Sequence, residues 1–366
     1  MLATTGFARY SPRVARLILA LIAAAIAFCL AVSLSSQASG FADAPRRGSS
    51  DVELYRAEID RVHQGENYYA AANAELRTRG YPTGNIFNWR TPLPMWLFGA
   101  LPSLIWGKAL LCAIAMYGWF GAIGLLAAER NGRASCLVGL LLLGGLLPCV
   151  LGDLCVLPVV WAGVLLLASM VAASRGRVAA SLLLGLAALF VRDLAAPYVV
   201  FRGVEAAARR RWREAAGWAA GLLAYGCFFA WHAAQAAPYM HAGDLVHKAG
   251  WVRCGGAAFV ISTVQMNAFL LLLPQWVSAL YLPLALAGFA GWQSPRGRVA
   301  GLTAALFVLL FAVVGQPFNQ YWGSLLAPLL CLGAAQSPAV LGELWRAAQR
   351  RAEADAAQAP TALSPA

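Results

Sequence analysis

The sequence predicts an all-α, polytopic integral membrane protein of about ten transmembrane helices, and three observations carry that expectation. The chain of 366 residues is 60% hydrophobic and only 12% charged, with a mean hydropathy of +0.64. Apolar runs of roughly 17 to 22 residues recur along it, long enough as helices to cross a hydrocarbon core of about 30 Å. The net charge of +12 comes almost wholly from arginines grouped at the ends of those runs. That grouping marks cytoplasmic turns, not a nucleic-acid-binding stripe, so no nucleic-acid partner is expected.

The first run, residues 14–34, follows Arg9, Arg13 and Arg16, which place the N-terminus in the cytoplasm. Its apolar core is longer than a signal peptide needs, so it reads as an uncleaved anchor spanning 14–36. Residues 37–92 then lie on the outer face, where seven arginines balance seven acids between residues 41 and 92. Further runs are 108–128, 134–151, 154–173, 178–191, 215–231, 276–292, 299–315 and 321–335. Arg130 with Arg133, Arg175 with Arg177, the cluster from Arg209 to Arg213, Arg296 with Arg298, and Arg346 with Arg350 and Arg351 mark the cytoplasmic turns. Both the 175 and the 209 clusters belong inside only if the stretch between them crosses twice, as two short helices meeting near Arg192 and Asp193. Residues 93–106 are short and carry Pro94 and Pro102, which suits a re-entrant or interfacial piece. Residues 257–273 are long enough to cross, yet the charge count leaves them over. Residues 1–351 thus read as one membrane domain with both termini inside, and the Ala- and Pro-rich tail 352–366 as disordered.

The polar groups of such a chain gather where water is, and residues 41–92 hold the densest set. Ser50 and Glu53 fit a capping box, and Val52, Tyr55, Ile59 and Val62 share one face of a helix over 51–64 that Gly65 ends. A second helix starts near Asn67, carries Tyr69, Ala72 and Leu76 on one side, and closes at Gly80 and Pro82. Together they predict a two-helix amphipathic platform lying on the outer membrane surface. Asp51 has two readings: an acid favoured by the positive end of the helix dipole, or a general base exposed to a lipid-bound substrate. Glu58 and Asp60 are expected to point away from the apolar face.

Three other places carry candidate residues. Arg192 and Asp193 interrupt an apolar run, either as a salt-bridged turn or with Arg192 binding a lipid phosphate. The stretch 238–256 holds His241, Asp244, His247, Lys248, Trp251 and Arg253, of which Lys248 and Arg253 suit a phosphate and Trp251 a sugar face or the interfacial belt. In 316–323, Asn319, Gln320 and Tyr321 could hydrogen-bond sugar hydroxyls or simply make a turn. Eight cysteines without a Cys-x-x-Cys pair, and histidines without helical spacing, indicate neither a disulfide scaffold nor a metal set. Cys149 and Cys155 flank the outer turn at Gly152 and Asp153, close enough in sequence to pair, but read first as small packing residues.

One anchor followed by an outward loop with Asp-Val-Glu-Leu-Tyr at 51–55, Gly-Glu-Asn-Tyr-Tyr at 65–69, Arg-Gly-Tyr-Pro at 79–82 and Arg-Thr-Pro at 90–92 resembles the GT-C superfamily of membrane glycosyltransferases. The likeness is to bacterial members related to the polyprenyl-phosphate-mannose-dependent mannosyltransferases. It implies a polyprenyl-phosphate-linked sugar as donor, a glycan or lipid acceptor, membrane lipid as surroundings, and a catalytic acid in the first outer loop at the position of Asp51. It also implies donor-phosphate contacts from Arg192, Lys248 and Arg253, and substrate contacts from Glu53, Tyr55, Tyr68, Tyr69, Arg90, Trp251, Asn319 and Tyr321. No cofactor is implied, and a divalent cation on Asp51 and Glu53 stays open. The competing classes are a transporter or lipid flippase, which would place its polar site near the membrane midplane, and a non-catalytic envelope assembly protein.

Overall fold

The computed structural model describes residues 5–38, 51–129, 132–246 and 250–357. Among them the chain is all-α, and its only extended pairing is the isolated bridge between Val252 and Val314. The first span is α1 (Pro12–Ala38), and the platform is α2 (Asp51–His63) with α3 (Tyr68–Thr78). A short helix α4 (Leu93–Ala100) leads into α5 (Leu104–Ala128), α6 (Gly132–Leu146), α7 (Pro158–Ser174), α8 (Val178–Val191), α9 (Ala196–Ala208) and α10 (Trp212–Ala236). Two broken pieces, α11 (Gly256–Val264) and α12 (Ala268–Leu271), precede α13 (Gln275–Gly291), α14 (Pro295–Val313) and α15 (Ala327–Ala357).

Ten of these helices, α1, α5 to α10 and α13 to α15, stand in order where the sequence predicts crossings. By length and composition alone, four segments among the described residues suffice to cross: Pro12–Ser36, Leu104–Ala128, Gly132–Cys149 and Pro295–Val313. A fifth is the turn Pro317–Leu325 continued by Ala327–Arg350, bent by 68°. Helix α10, with 25 residues, is long enough but less apolar than those four, and the remaining helices are shorter, α8 and α9 having 14 and 13 residues. Such helices rise about 20 Å each, less than a hydrocarbon core, so their apex at Arg192 lies under the platform. Thr91 at the end of the platform donates to the Phe190 carbonyl beside that apex (3.3 Å). At the other end of the bundle the start of the described residues meets α15, with the Thr5 amide donating to Glu343 Oε1 (2.9 Å).

Local punctuation explains the platform. Asn67 caps α3 by accepting from the Tyr69 amide (2.9 Å), and Gly65 and Gly80 take left-handed φ values of +90° and +71° after the two helices. α4 supplies the surface under α2: Gly99 makes room for Val62, and His63 Nδ1 donates to the Gly99 carbonyl (3.0 Å). Elsewhere backbones touch. A Cβ on Gly288 would overlap the Gly333 carbonyl oxygen, which is how α13 and α15 pack so closely.

Several expectations need correction. Glu58 is not aimed outward: it is 2% exposed, because the buried face of α2 is Leu54, Tyr55, Glu58 and Ile59. By contrast, residues 257–273, which the charge count leaves over as a non-crossing piece, break at Asn267, whose side chain caps α12, and neither piece is long enough to cross. Helix α5 starts at Leu104, earlier than the run 108–128 suggests, and takes in part of the piece 93–106. The tail does not begin at 352, since α15 continues to Ala357. Ser50, the proposed capping partner of Glu53, lies outside the described residues.

Candidate functional site

Asp51 opens α2 and is half-buried. The Tyr81 hydroxyl donates to its Oδ1 at 2.8 Å, and the Tyr321 phenol lies near enough to feel the charge of the same carboxylate. Tyr81 stands just past Gly80, whose left-handed turn swings the chain back toward the start of α2. Tyr321 comes from the opposite side, on the turn between α14 and α15. A carboxylate has about four lone-pair sites, so the Tyr81 donor leaves it able to accept a further proton or hydrogen bond.

Tyr55 lies one helical turn beyond Asp51 on the same face and is 2% exposed. Its oxygen accepts from Arg90 Nε at 2.8 Å, so its own proton remains available to another acceptor. Burial holds the Tyr55 phenol well above its ordinary range, with Asp51 acting in the same direction and Arg90 against it. Arg90 is steered by its neighbours: Nη1 donates to the Phe87 carbonyl (3.1 Å), and the buried Tyr68 hydroxyl donates to the Arg90 carbonyl (2.7 Å). Its charge is felt by Tyr321 and by Tyr55, as is that of Arg192.

Arg192 is 5% exposed, ion-paired to Asp193 at 3.4 Å, and stacked over the Trp322 ring with its guanidinium carbon 5.6 Å from the centroid. Trp322 in turn stacks on Trp251 at 5.9 Å. Trp251 is held there by its backbone, since its carbonyl accepts from the Gly315 amide (3.0 Å) beside the Val252–Val314 bridge. Asp51, Tyr55, Tyr81, Arg90, Arg192 and Tyr321 thus form one cluster where platform, α8–α9 apex and last outer turn converge. It unites one carboxylate, two guanidiniums and three phenols, a set suited to a reaction that moves a proton and leaves an anion.

Glu58, two turns from Asp51 on the buried face of α2, adds a second carboxyl to the same surroundings. Burial raises it to about 8, with Arg90 opposing and Glu75 and Asp51 adding to the rise. It is therefore largely neutral at pH 7, and its Oε2 has no hydrogen-bond partner.

Other expected site residues fall elsewhere. Glu53 is exposed and faces Arg79 at 3.9 Å. Residues two apart on a helix point to different sides, so Asp51 and Glu53 cannot share one cation. Among the described residues no group of three His, Cys, Asp or Glu is placed to hold a metal ion. Asn319 is 2% exposed and commits its amide oxygen to the Gln316 amide (3.0 Å), a turn-capping bond that removes it from ligand contact. Tyr69 is buried with its hydroxyl on His232 Nδ1 of α10 (3.0 Å), so it anchors the platform. Arg253 is exposed outside the cluster's hydrogen-bond network, and Lys248 lies outside the described residues. Asp244 accepts both Nη atoms of Arg77 (2.8 Å each), clamping the loop after α10 to α3; Arg77 holds its carboxyl well below the usual carboxylate range. Cys149 and Cys155 are free thiols, both buried.

The cluster's partners that sequence reasoning left without a role are Tyr81 and Trp322. The first had a signal, in the Arg-Gly-Tyr-Pro motif; the second, one interfacial tryptophan among 13, had none.

No protein-family model matches the chain, and no curated protein does. Among solved structures it is similar to the crystal structure of ArnT from Cupriavidus metallidurans bound to undecaprenyl phosphate, with a TM-score of 0.49 and 17% identity over 88% of this chain and 59% of that one. It is also similar to the apo form of that protein, with a TM-score of 0.44 and 16% identity over 86% of this chain and 60% of that one. The chain therefore spans about 59% of the length of the structure it matches.

Proposed function

We propose that this protein is a membrane glycosyltransferase of the GT-C type, transferring a sugar from a polyprenyl-phosphate donor to a glycan or lipid acceptor at the periplasmic face of the inner membrane. The observation that carries the reading is the Asp51 carboxylate, held by Tyr81 and faced by Tyr321 beside two arginines, at the motif position where the GT-C resemblance expects the base. Asp51 accepts the acceptor hydroxyl's proton as that oxygen bonds to the anomeric carbon. The bond from that carbon to the phosphate oxygen breaks, and the departing polyprenyl phosphate takes the electron pair. Arg192 and Arg90 meet the charge that develops on it, a role electrostatics rewards in a site shielded from water. One direct displacement inverts the anomeric centre.

The test is Asp51→Asn in purified protein, with transfer followed by mass spectrometry of polyprenyl-linked lipid and acceptor glycan. The expected result is a loss of turnover of about 10²- to 10⁴-fold with donor binding retained. Lipid translocation that persists in the variant would identify a flippase. Indifference of every glycan to the substitution would identify a scaffold.

A further inference from the structure

The hairpin α9–α10 carries a second feature at its far end. α9 begins beside Arg192, and its last residues lie about 20 Å away along the helix. Between α9 and α10 runs an apolar groove of about 610 Å³, a volume in the range of lipid- and ligand-sized pockets, about 300–1,000 Å³. Small side chains open it: Gly203 and Ala207 on one helix, Ala215, Ala216 and Ala219 on the other. Trp212 stands at its end, 66% exposed.

That end is basic. Arg209, Arg210, Arg211 and Arg213 surround Trp212 within five residues. The two nearby acids are already occupied. Glu205 pairs with the buried Arg202 and with Arg209 (3.1 Å), and Glu214 pairs with Arg202 (3.0 Å) and Arg211 (2.7 Å). Arg210 and Arg213 form no ion pair among the described residues, and Arg202 Nε and Arg211 Nε find no hydrogen-bond acceptor. Arg210 also takes a left-handed φ of +58° at a helix end where glycine is the usual choice. The fold tolerates that strain with a cationic side chain in place.

We propose that groove and turn together bind an anionic phospholipid, its chains along Gly203, Ala207, Ala216 and Ala219 and its phosphate on Arg210 and Arg213. A free phosphate has no use for the groove, and a zwitterionic lipid, whose own ammonium already offsets its phosphate, gains less from the two unpaired arginines. The site is separate from the Asp51 cluster and does not depend on the glycosyltransferase reading.

The experiment is native mass spectrometry of the full-length protein in non-ionic detergent, titrated with phosphatidylglycerol, phosphatidylcholine and inorganic phosphate. Phosphatidylglycerol is expected to bind about tenfold or more tighter than phosphatidylcholine, from two arginines near a headgroup of net negative charge. Arg210→Gly with Arg213→Gln should abolish that preference, and because glycine relieves the left-handed strain, misfolding does not confuse the result. Ala216→Leu with Ala219→Leu, both exposed along the groove, should weaken either lipid. Equal binding of the two lipids, a preference that survives the arginine variant, binding indifferent to the leucines, or displacement by inorganic phosphate would each overturn the proposal.

Discussion

Glu58→Gln isolates the energetic cost of a carboxyl buried in the platform. The side chain is 2% exposed, and burial lifts it from 4.5 to about 8. Because the folded pKa is raised, the folded state holds a proton that the unfolded state has released between those two values, so stability falls as pH rises through that window. At about 1.4 kcal/mol per pH unit the loss reaches about 5 kcal/mol by pH 8 as an upper figure. Below pH 4.5 both states are protonated and the cost vanishes. Glutamine copies the neutral acid in shape, so Glu58→Gln should match the wild type at pH 5 and exceed it by several kcal/mol at pH 8. Thermal unfolding in detergent, followed from pH 5 to 9, reads this directly. The wild-type midpoint should slope downward, and the variant's should stay nearly flat. Parallel curves would refute the reasoning, because they would mean that Glu58 is ionised at little cost and reaches water or a cation.

Tyr81→Phe removes the 2.8 Å hydrogen bond to Asp51 and should lower kcat about five- to tenfold, roughly one hydrogen bond's worth, with KM little changed in steady-state transfer assays. Arg192→Lys keeps the charge but loses the planar stack on Trp322 and the fork that grips phosphate; donor KM should rise by about tenfold or more, and an unchanged KM would remove Arg192 from the donor site. Arg77→Ala releases Asp244 and the Tyr239 carbonyl, so amide exchange in residues 239–246 should accelerate while the spans remain as protected as before.

The platform is legible in the sequence because its signals are local. Asn67, Gly65 and Gly80 act within a few residues of themselves, and Arg192 with Asp193 announces a break because no charge outside that pair interrupts the apolar run. The break at Asn267 is equally local yet easy to miss, since a capping asparagine between apolar residues resembles a tolerated polar residue in a span. The phase of α2 is harder. Its apolar residues alone leave Glu58 at the edge of the face, and only the packing of α4 and Arg90 against it decides that the carboxyl goes inside. Pairings such as Trp322 with Arg192 or Arg77 with Asp244 join residues more than 100 positions apart. No periodicity records them, and they are what gathers Asp51, Arg90 and Arg192 into one place.

Tyr68 and Tyr69 sit side by side in the first turn of α3, yet one hydroxyl fastens the Arg90 backbone and the other fastens His232 on α10. This dipeptide is a rivet through two plates. It registers the surface platform to a span within the tolerance of a hydrogen bond, so the guanidinium of Arg90 keeps its aim only while α10 keeps its tilt. A bilayer that thickens or thins around α10 is therefore expected to be felt mechanically at the Asp51 cluster, through a joint two residues wide.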